Sequence, residues 1–206
     1  MRAIAIALIP LMLAACSKSE PRPSSDTGVV TVDTAGNASQ STPSPSAMAF
    51  KITSPAFAPS GSIPSKYTCE GSDTSPSLEW SDAPSGTKSF ALIVDDPDAP
   101  DPAKPQRTYV HWVVYNIPPG TTKLPENAAK GGLPSGALQG RNDWKKQTYG
   151  GPCPPIGRHR YFFKVYALDT DLTFASPPTK ADLEKAMQGH VLGNAELIGT
   201  YEKARK

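Results

Sequence analysis

The fold is decided by the stretch FALIVDDPDAP, residues 90–100 of a 206-residue chain. Its first half is a continuous apolar run, which is typical of a strand buried on both faces. Its second half places three aspartates and two prolines where this strand runs out. Because proline fixes its own φ and restricts the residue before it, we expect a stiff loop that holds the acidic side chains. An ordinary solvated turn has the same composition, so the rest of the chain must decide between a turn and a functional site.

Two further segments have the composition of central strands. Tyr109–Ile117 and His159–Leu168 are rich in β-branched and aromatic residues, and both are nearly continuous in apolar character. Shorter segments around Ile52 and Trp80 alternate between apolar and polar residues, which indicates half-buried strands. The clearest helix begins at Lys180 and ends near residue 189, after a Thr-x-x-Asp capping box. A last strand is expected at residues 196–201. The pattern predicts a mostly β sandwich with a small peripheral helix.

Groups able to do chemistry flank these predicted strands. Asp96 and Asp98 follow one strand, while His111 and His159 lie at or near the starts of two others. Because adjacent antiparallel strands place the end of one beside the start of the next, we expect these side chains to meet at one end of the sandwich. A carboxylate orients nearby histidine rings and favours their charged form, and such a pocket suits phosphate or a similar anion.

Two local patterns add detail to this pocket. The period of two along a strand puts His111 on the face of Val113 and puts Trp112 on the opposite face, in the core. Gly150 and Gly151 precede the last of the central strands, and two such glycines allow backbone amides to form an anion-binding nest. The sequence therefore predicts histidine donors and backbone donors around one anion.

The N-terminus has the pattern of an export signal. One positive charge at Arg2 precedes an apolar run, residues 3–15, which is shorter than the roughly 20 residues of a membrane-spanning helix. The run ends in Leu-Ala-Ala-Cys at Cys16 and resembles the lipobox of bacterial lipoproteins, whose cysteine is lipidated. An ordinary cleaved signal with a chance cysteine is the alternative. By resemblance to enterobacterial sorting rules, Ser17 favours the outer membrane, facing the periplasm.

The chain is therefore predicted to have three parts. Residues 1–15 form the signal peptide, and residues 16–47 form the lipidated cysteine and a disordered linker rich in Ser, Thr and Pro. The linker has too few large apolar residues to offset the entropy cost of ordering it. Residues 48–206 form the folded domain, where the apolar pattern begins.

Composition and motif content weigh against several classes of function. The net charge of +2, from 21 basic and 19 acidic residues, gives no basic footprint for nucleic acid. No Cys-x-x-Cys or His-x-x-x-His spacing indicates a metal, and no cofactor is predicted. No Gly-x-Ser-x-Gly elbow indicates a serine hydrolase, although the His and Asp pairs leave acid–base hydrolysis open.

Three ordered motifs resemble the phosphatidylethanolamine-binding protein family, also called Raf kinase inhibitor-like proteins. They are the Asp-Pro segment at residues 95–100, VHWVVYNIP at residues 110–118, and GGPCPPIGRHRY at residues 150–161. The bacterial branch is the most similar and shares YTCEG at residues 67–71. The resemblance covers residues 49–205, and it implies a two-sheet β-sandwich with a small pocket for a phosphate or phosphoryl head group.

The resemblance also implies roles for individual residues. Matching motif positions assigns ligand binding to Asp96, His111, Gly151, His159 and Tyr161, with Asp98 and Arg160 as supports. The implied function is binding rather than catalysis, with a phosphate-bearing small molecule or phospholipid head group as partner and a lipid anchor in a membrane. One alternative is an inhibitor or interaction module for a periplasmic enzyme, and the other is a hydrolase that uses the His and Asp pairs.

Two cysteines remain after Cys16. Cys69 and Cys153 are an even pair in a chain predicted to be exported, and both lie in motif loops. A disulfide between them is one prediction, and a pair of reduced, packed thiols is the other.

Overall fold

The computed structural model describes residues 49–204. The predicted signal peptide, Cys16 and the linker lie outside the described residues, so these assignments stay predictions. Within residues 49–204, no helix is both long enough and apolar enough to cross a membrane.

The described part of the chain has four short strands, four long strands and one α-helix, together with two three-residue 3₁₀ helices at Ser65–Tyr67 and Ala128–Lys130. The strands and the α-helix are numbered in chain order. In order, they are β1 (Lys51–Thr53), β2 (Leu78–Ser81), β3 (Ser89–Ala99), β4 (Arg107–Ile117), β5 (Lys123–Leu124), β6 (Leu138–Gln139), β7 (Arg158–Leu168), α1 (Lys180–Met187) and β8 (Val191–Glu202).

The strands form two antiparallel sheets that pack face to face. The smaller sheet has the order β1-β2-β5, and the larger has the order β6-β4-β3-β7-β8. The main core cluster joins Ile52 and Trp80 of the smaller sheet to Phe90, Trp112 and Phe163 of the larger. The predicted fold class, a mostly β two-sheet sandwich with a small helix, is confirmed.

Helix α1 covers the other face of the larger sheet. Leu183 and Met187 of the helix pack against Ala91, Ile93 and Val113 of the central strands. Strands β3 and β4 are therefore buried on both faces, which explains why their sequences are continuously apolar instead of alternating.

The boundaries of two elements can be compared with their predicted positions. Helix α1 begins with the predicted capping box, in which Thr179 and Asp182 exchange hydrogen bonds, and it ends at Met187. Strand β8 begins at Val191, earlier than the residues around Glu196 where a last strand was expected.

The aspartate–proline segment continues β3 and is not a loop. The strand runs on through Asp95, Asp96, Pro97 and Asp98 to Ala99. A register shift after Asp96 accommodates the proline, whose missing N–H is tolerated at a bulge. The predicted strand end at the first aspartate is wrong because all three carboxylates are buried and have partners inside the fold.

Candidate functional site

A cavity of about 320 Å³ opens at one end of the larger sheet, where β3 ends and β4 and β7 begin. Antiparallel pairing of β3 with both neighbours brings these strand ends together. Four of the five predicted ligand residues lie in the cavity wall, namely Asp96, His111, His159 and Tyr161. The rest of the wall comes from Ala99, Pro100, Arg107, Tyr109, Trp144, Cys153, Pro154 and Pro155.

A bulge in β4 turns His111 toward this cavity. Val94 pairs with Trp112 but Asp95 pairs with Val110, which leaves His111 as an extra residue on β4. Val110 and Trp112 consequently belong to the clusters on opposite faces of the sheet. The ring of His111 contacts that of Tyr161, which belongs to the same cluster as Trp112, so His111 lies on the side of Trp112. The prediction that these two side chains face apart is wrong, because a strict period of two does not allow for an unpaired residue.

His159 has a hydrogen-bond acceptor on each side of its ring. Its Nδ1 lies 2.7 Å from Oδ2 of Asp96, and its Nε2 lies 3.0 Å from the carbonyl oxygen of Ile156. A neutral imidazole has one N–H, so two bonds to two acceptors fit an imidazolium beside a carboxylate. The other oxygen of Asp96 accepts from the backbone N–H of Asp98 at 2.8 Å. In this arrangement the Asp96 side chain orients His159.

His111 is held in one tautomer by the protein backbone. Its Nδ1 lies 2.7 Å from the carbonyl oxygen of Gly150, and a carbonyl only accepts, so Nδ1 carries the hydrogen. Burial lowers the pKa of His111, and this outweighs the opposing effects of the Gly150 bond and of the charges on Asp96, Asp95 and Asp143. The ring is therefore neutral near pH 7, with a lone pair on Nε2.

Tyr161 supplies a hydroxyl group without a partner. The residue is 1% exposed, and its Oη makes no hydrogen bond of normal geometry within residues 49–204. Burial, and to a lesser extent the charge of Asp96, raises the pKa of Tyr161, while the Cys153 backbone lowers it less, so the hydroxyl stays protonated. Buried hydroxyl groups normally have partners, so this atom is the clearest sign of a ligand position.

The two glycine amides are used within the protein. The N–H of Gly150 donates to the carbonyl of His111 at 3.0 Å, and the N–H of Gly151 donates to Oδ1 of Asp73 at 2.6 Å. Gly151 lies outside the cavity wall, and a Cβ added to it would lie 2.8 Å from Cα of Thr68. The predicted amide nest is therefore wrong, because the carbonyl of His111 in β4 and the carboxylate of Asp73 already occupy these donors.

One cationic and two aromatic side chains of the cavity wall, those of Arg107, Tyr109 and Trp144, were not predicted as site residues. Cζ of Arg107 lies 4.4 Å from the ring centroid of Tyr109, and the Trp144 ring packs edge-on against Tyr109 at 4.7 Å. Arg107 is exposed and makes no salt bridge with a carboxylate of residues 49–204. Arg107 and Tyr109 had a sequence signal, because they precede His111 by four and two residues on one strand. Trp144 had no such signal, since it lies in a segment whose apolar residues follow neither the strand period nor the helix period.

The other two aspartates of β3 lie outside the cavity wall and are paired with cations. Asp98 accepts from Nη2 and Nε of Arg160 at 2.6 and 2.9 Å, and these side-chain bonds are the main reason that its pKa is lowered. Asp95 is fully buried and accepts from Nζ of Lys164 at 2.8 Å and of Lys180 at 2.5 Å. Asp98 and Arg160 therefore join the ends of β3 and β7, and Asp95 connects α1 to the sheet.

Cys69 and Cys153 form a disulfide, with their Cα atoms 5.5 Å apart. The backbone N–H of Cys69 also donates to the carbonyl of Pro152 at 3.1 Å. Because Cys153 and the two prolines after it belong to the cavity wall, the disulfide fastens this wall to the YTCEG loop.

Comparison with known proteins gives matches that span the strands of this cavity. A family model for phosphatidylethanolamine-binding protein matches residues 53–202. The UPF0098 protein of Methanothermobacter thermautotrophicus is 52% identical over 149 residues, covering 72% of this chain and 95% of that protein. The crystal structure of YbcL from E. coli, described as a member of the mammalian PEBP family, has a TM-score of 0.70 at 38% identity and covers 76% of this chain and 100% of its own. The crystal structure of CT736 from Chlamydia trachomatis, a phosphatidylethanolamine-binding protein homologue, has a TM-score of 0.68 at 44% identity. The match covers 76% of this chain and 99% of CT736.

Proposed function

The chain belongs to the phosphatidylethanolamine-binding protein family, and on that premise we propose that it binds a small phosphoryl anion in the cavity at the end of the larger sheet. The observation that carries this proposal is the Tyr161 hydroxyl, which is buried in the cavity wall and has no partner within residues 49–204. A phosphoryl oxygen can accept a hydrogen bond from this group, and the desolvation of the hydroxyl is then compensated.

The charges around the cavity favour an anion. Asp96 and the His159 imidazolium offset each other, and His111 is neutral. Arg107 remains as an exposed cation in the wall, with its guanidinium over Tyr109. Arginine suits phosphate because its planar fork can donate two parallel hydrogen bonds.

The size and walls of the cavity limit what can accompany the phosphoryl group. A volume of about 320 Å³ is near the lower end of ligand pockets, which run from about 300 Å³. The aromatic rings of Tyr109 and Trp144 form one side, so a small organic group, such as the ethanolamine part of a head group, can pack there.

Binding rather than catalysis is the activity that we propose. The wall contains no serine or threonine, and Cys153 is in a disulfide, so the wall offers no hydroxyl nucleophile of the serine or threonine type and no free thiol. Within residues 49–204, no three His, Cys, Asp or Glu residues are grouped as metal ligands. No observation of the site favours the hydrolase or the interaction module.

The cellular position is part of the proposal. The export signal and the lipobox cysteine, Cys16, support an exported lipoprotein of the outer membrane that faces the periplasm.

Calorimetric titration of the full-length protein with phosphoethanolamine tests the proposal. We expect binding in the wild type and a loss of about 10- to 100-fold in affinity in Tyr161→Phe, since a hydrogen bond to a charged group contributes about 1.5–3 kcal/mol. Tyr166→Phe is the matched control, because Tyr166 lies on the same strand but packs in the cluster on the other face. No binding in the wild type, or equal losses in both variants, would contradict the proposal.

A further inference from the structure

The disulfide between Cys69 and Cys153 holds a part of the cavity wall that has few backbone donors of its own. This wall segment is residues 152–157, with the sequence PCPPIG, and three of its residues line the cavity. Because three of the six residues are prolines, half of the wall segment has no backbone N–H to donate. The carbonyl of Pro152 accepts from the N–H of Cys69 at 3.1 Å. The disulfide adds a covalent attachment to the same loop, 84 residues earlier in the chain.

The wall segment contacts two groups on which the proposed anion binding depends. The carbonyl of Ile156 accepts from Nε2 of His159 at 3.0 Å and so helps to fix this ring beside Asp96. The backbone of Cys153 lies close enough to the Tyr161 hydroxyl to lower its pKa, and this hydroxyl is the proposed donor to the anion. A displacement of the wall segment would therefore disturb both groups.

The attachments just before the wall segment do not depend on the disulfide. The N–H of Gly151 donates to Oδ1 of Asp73 at 2.6 Å, and the hydroxyl of Tyr149 donates to the carbonyl of Tyr67 at 2.9 Å. Both bonds join the chain before residue 152 to the loop that contains Cys69. Breaking the disulfide should therefore release the wall segment and leave the residues before it in place.

The disulfide lies where a thiol can reach it. Cys69 and Cys153 are both exposed, and both line a second cavity of about 380 Å³. Lys130 and Lys146 line this second cavity as well, with Asp73 as the one carboxylate among its lining residues. Positive charge near a cysteine favours the thiolate, which is both the attacking and the leaving group in thiol–disulfide exchange. The surroundings of this disulfide therefore suit its reduction by a thiol.

We propose that the disulfide between Cys69 and Cys153 is a redox switch for the cavity, which binds its anion when the bond is formed and binds it more weakly after reduction by a dithiol. One thiolate of the dithiol attacks a sulfur of the disulfide and forms a mixed disulfide, which the second thiolate then resolves. The dithiol is oxidised to a disulfide, and two electrons and two protons pass to the two cysteines. This inference rests on the proposed anion binding and adds a control of the same cavity.

Calorimetric titration with phosphoethanolamine tests the switch on the full-length protein, with the disulfide formed and with dithiothreitol present. We expect an affinity about tenfold lower after reduction, which corresponds to a wall segment in its binding position about one tenth of the time. A disulfide with only a structural role would leave the affinity of the folded protein unchanged. Equal affinities would thus overturn the switch and leave anion binding intact, whereas no binding by the oxidised protein would contradict the anion site itself.

Two variants separate the disulfide from other effects of the reductant. Cys69→Ser breaks the bond from outside the wall of the anion cavity, so this variant should bind about tenfold more weakly than the oxidised wild type, with or without dithiothreitol. Cys16→Ser is the matched control, because it removes the cysteine outside the pair and should respond to dithiothreitol as the wild type does. A response of Cys69→Ser as large as that of the wild type would overturn the inference.

Hydrogen exchange of the ligand-free protein shows whether reduction acts locally. We expect faster exchange of the amides of Cys153, Ile156 and Gly157 after reduction, and unchanged exchange in β3 and β8. Unchanged exchange at all of these amides would contradict the release of the wall segment. Faster exchange throughout both sheets would mean that reduction unfolds the domain, and it would overturn the switch as well.

Discussion

Nδ1 of His159 lies 2.7 Å from Oδ2 of Asp96, so the end of β3 and the start of β7 are joined by a buried hydrogen bond in the cavity wall. Asn at position 96 keeps an oxygen acceptor but loses the charge that balances the imidazolium. We expect Asp96→Asn to lower the free energy of unfolding by about 1.5–3 kcal/mol, as for a hydrogen bond between charged groups. Urea unfolding measures this change.

The control for this substitution is Asp101→Asn. Asp101 also accepts a backbone hydrogen bond, from Ala103 at 2.9 Å, but the bond is exposed to solvent. We expect a change in unfolding free energy below about 0.5 kcal/mol, which is usual for a surface site. Equal effects of the two substitutions would show that the Asp96 carboxylate has no special partner.

The ion pair of Asp98 and Arg160 should make the free energy of unfolding depend on pH in the acid range. The guanidinium bonds lower the pKa of Asp98 in the folded state, so the pair stabilises the fold fully above about pH 4, the ordinary pKa of a free aspartate. This stabilisation is lost as the pH falls below about 4 and then through the lowered pKa that Asp98 has in the folded state. The stability difference between the wild type and Arg160→Gln, measured by urea unfolding, should therefore be larger at pH 7 than at pH 3.

A neighbouring arginine provides the comparison for this pH effect. Arg158 contacts Glu202 at 3.4 Å, and the two side chains are 57% and 35% exposed. Exposed ion pairs contribute little, so Arg158→Gln should differ from the wild type by less than about 0.5 kcal/mol at both pH values. A difference for Arg160→Gln that does not shrink on acidification would contradict the assignment.

Removing the lysine partners of the buried Asp95 should cost more stability than removing the charge of Asp95 itself. The side chains of Lys164 and Lys180 are 23% and 20% exposed, whereas that of Asp95 is 0% exposed. Removing both cations in Lys164→Met with Lys180→Met leaves a buried, unpaired charge and should cost about 3–5 kcal/mol. Asp95→Asn leaves two lysines that can reach solvent and should cost about 1–2 kcal/mol in urea unfolding. The reverse order of costs would contradict this account.

Lipidation of Cys16 can be tested in cells. The wild-type chain should incorporate radiolabelled palmitate and fractionate with the outer membrane, because attached acyl chains anchor a protein by about 0.8 kcal/mol per buried methylene. Cys16→Ala should abolish the label, and Cys69→Ala is the matched control that should keep it. An unlabelled wild type would remove the lipoprotein part of the proposal.

The sequence was sufficient to predict the sandwich, because its signals are local and strong. Continuous apolar runs such as Phe90–Val94 and Phe162–Leu168 indicate central strands, and the capping box at Thr179 indicates the start of α1. The convergence of Asp96 with the two histidines also followed from the order of antiparallel strands. These features depend on periodicity and adjacency, which the sequence contains directly.

The features of the site that were predicted wrongly or missed depend on contacts between segments that are distant in sequence. The bulge at His111 exists only because β3 and β4 change register, and no alternation of residue types marks it. The glycine amides were assigned to an anion because Asp73, which takes the Gly151 amide, is far away in sequence. Trp144 joins the cavity from a long connection without regular structure. Each of these is a tertiary contact that overrides a local pattern.

The most direct test of the central claim is a crystal structure of the protein with phosphoethanolamine. We predict a phosphoryl group in the cavity, with one oxygen within about 2.5–3.2 Å of Oη of Tyr161. We also predict that the guanidinium of Arg107 contacts the same group. Phosphoethanolamine bound elsewhere, or a cavity that holds only water at saturating ligand, would contradict it.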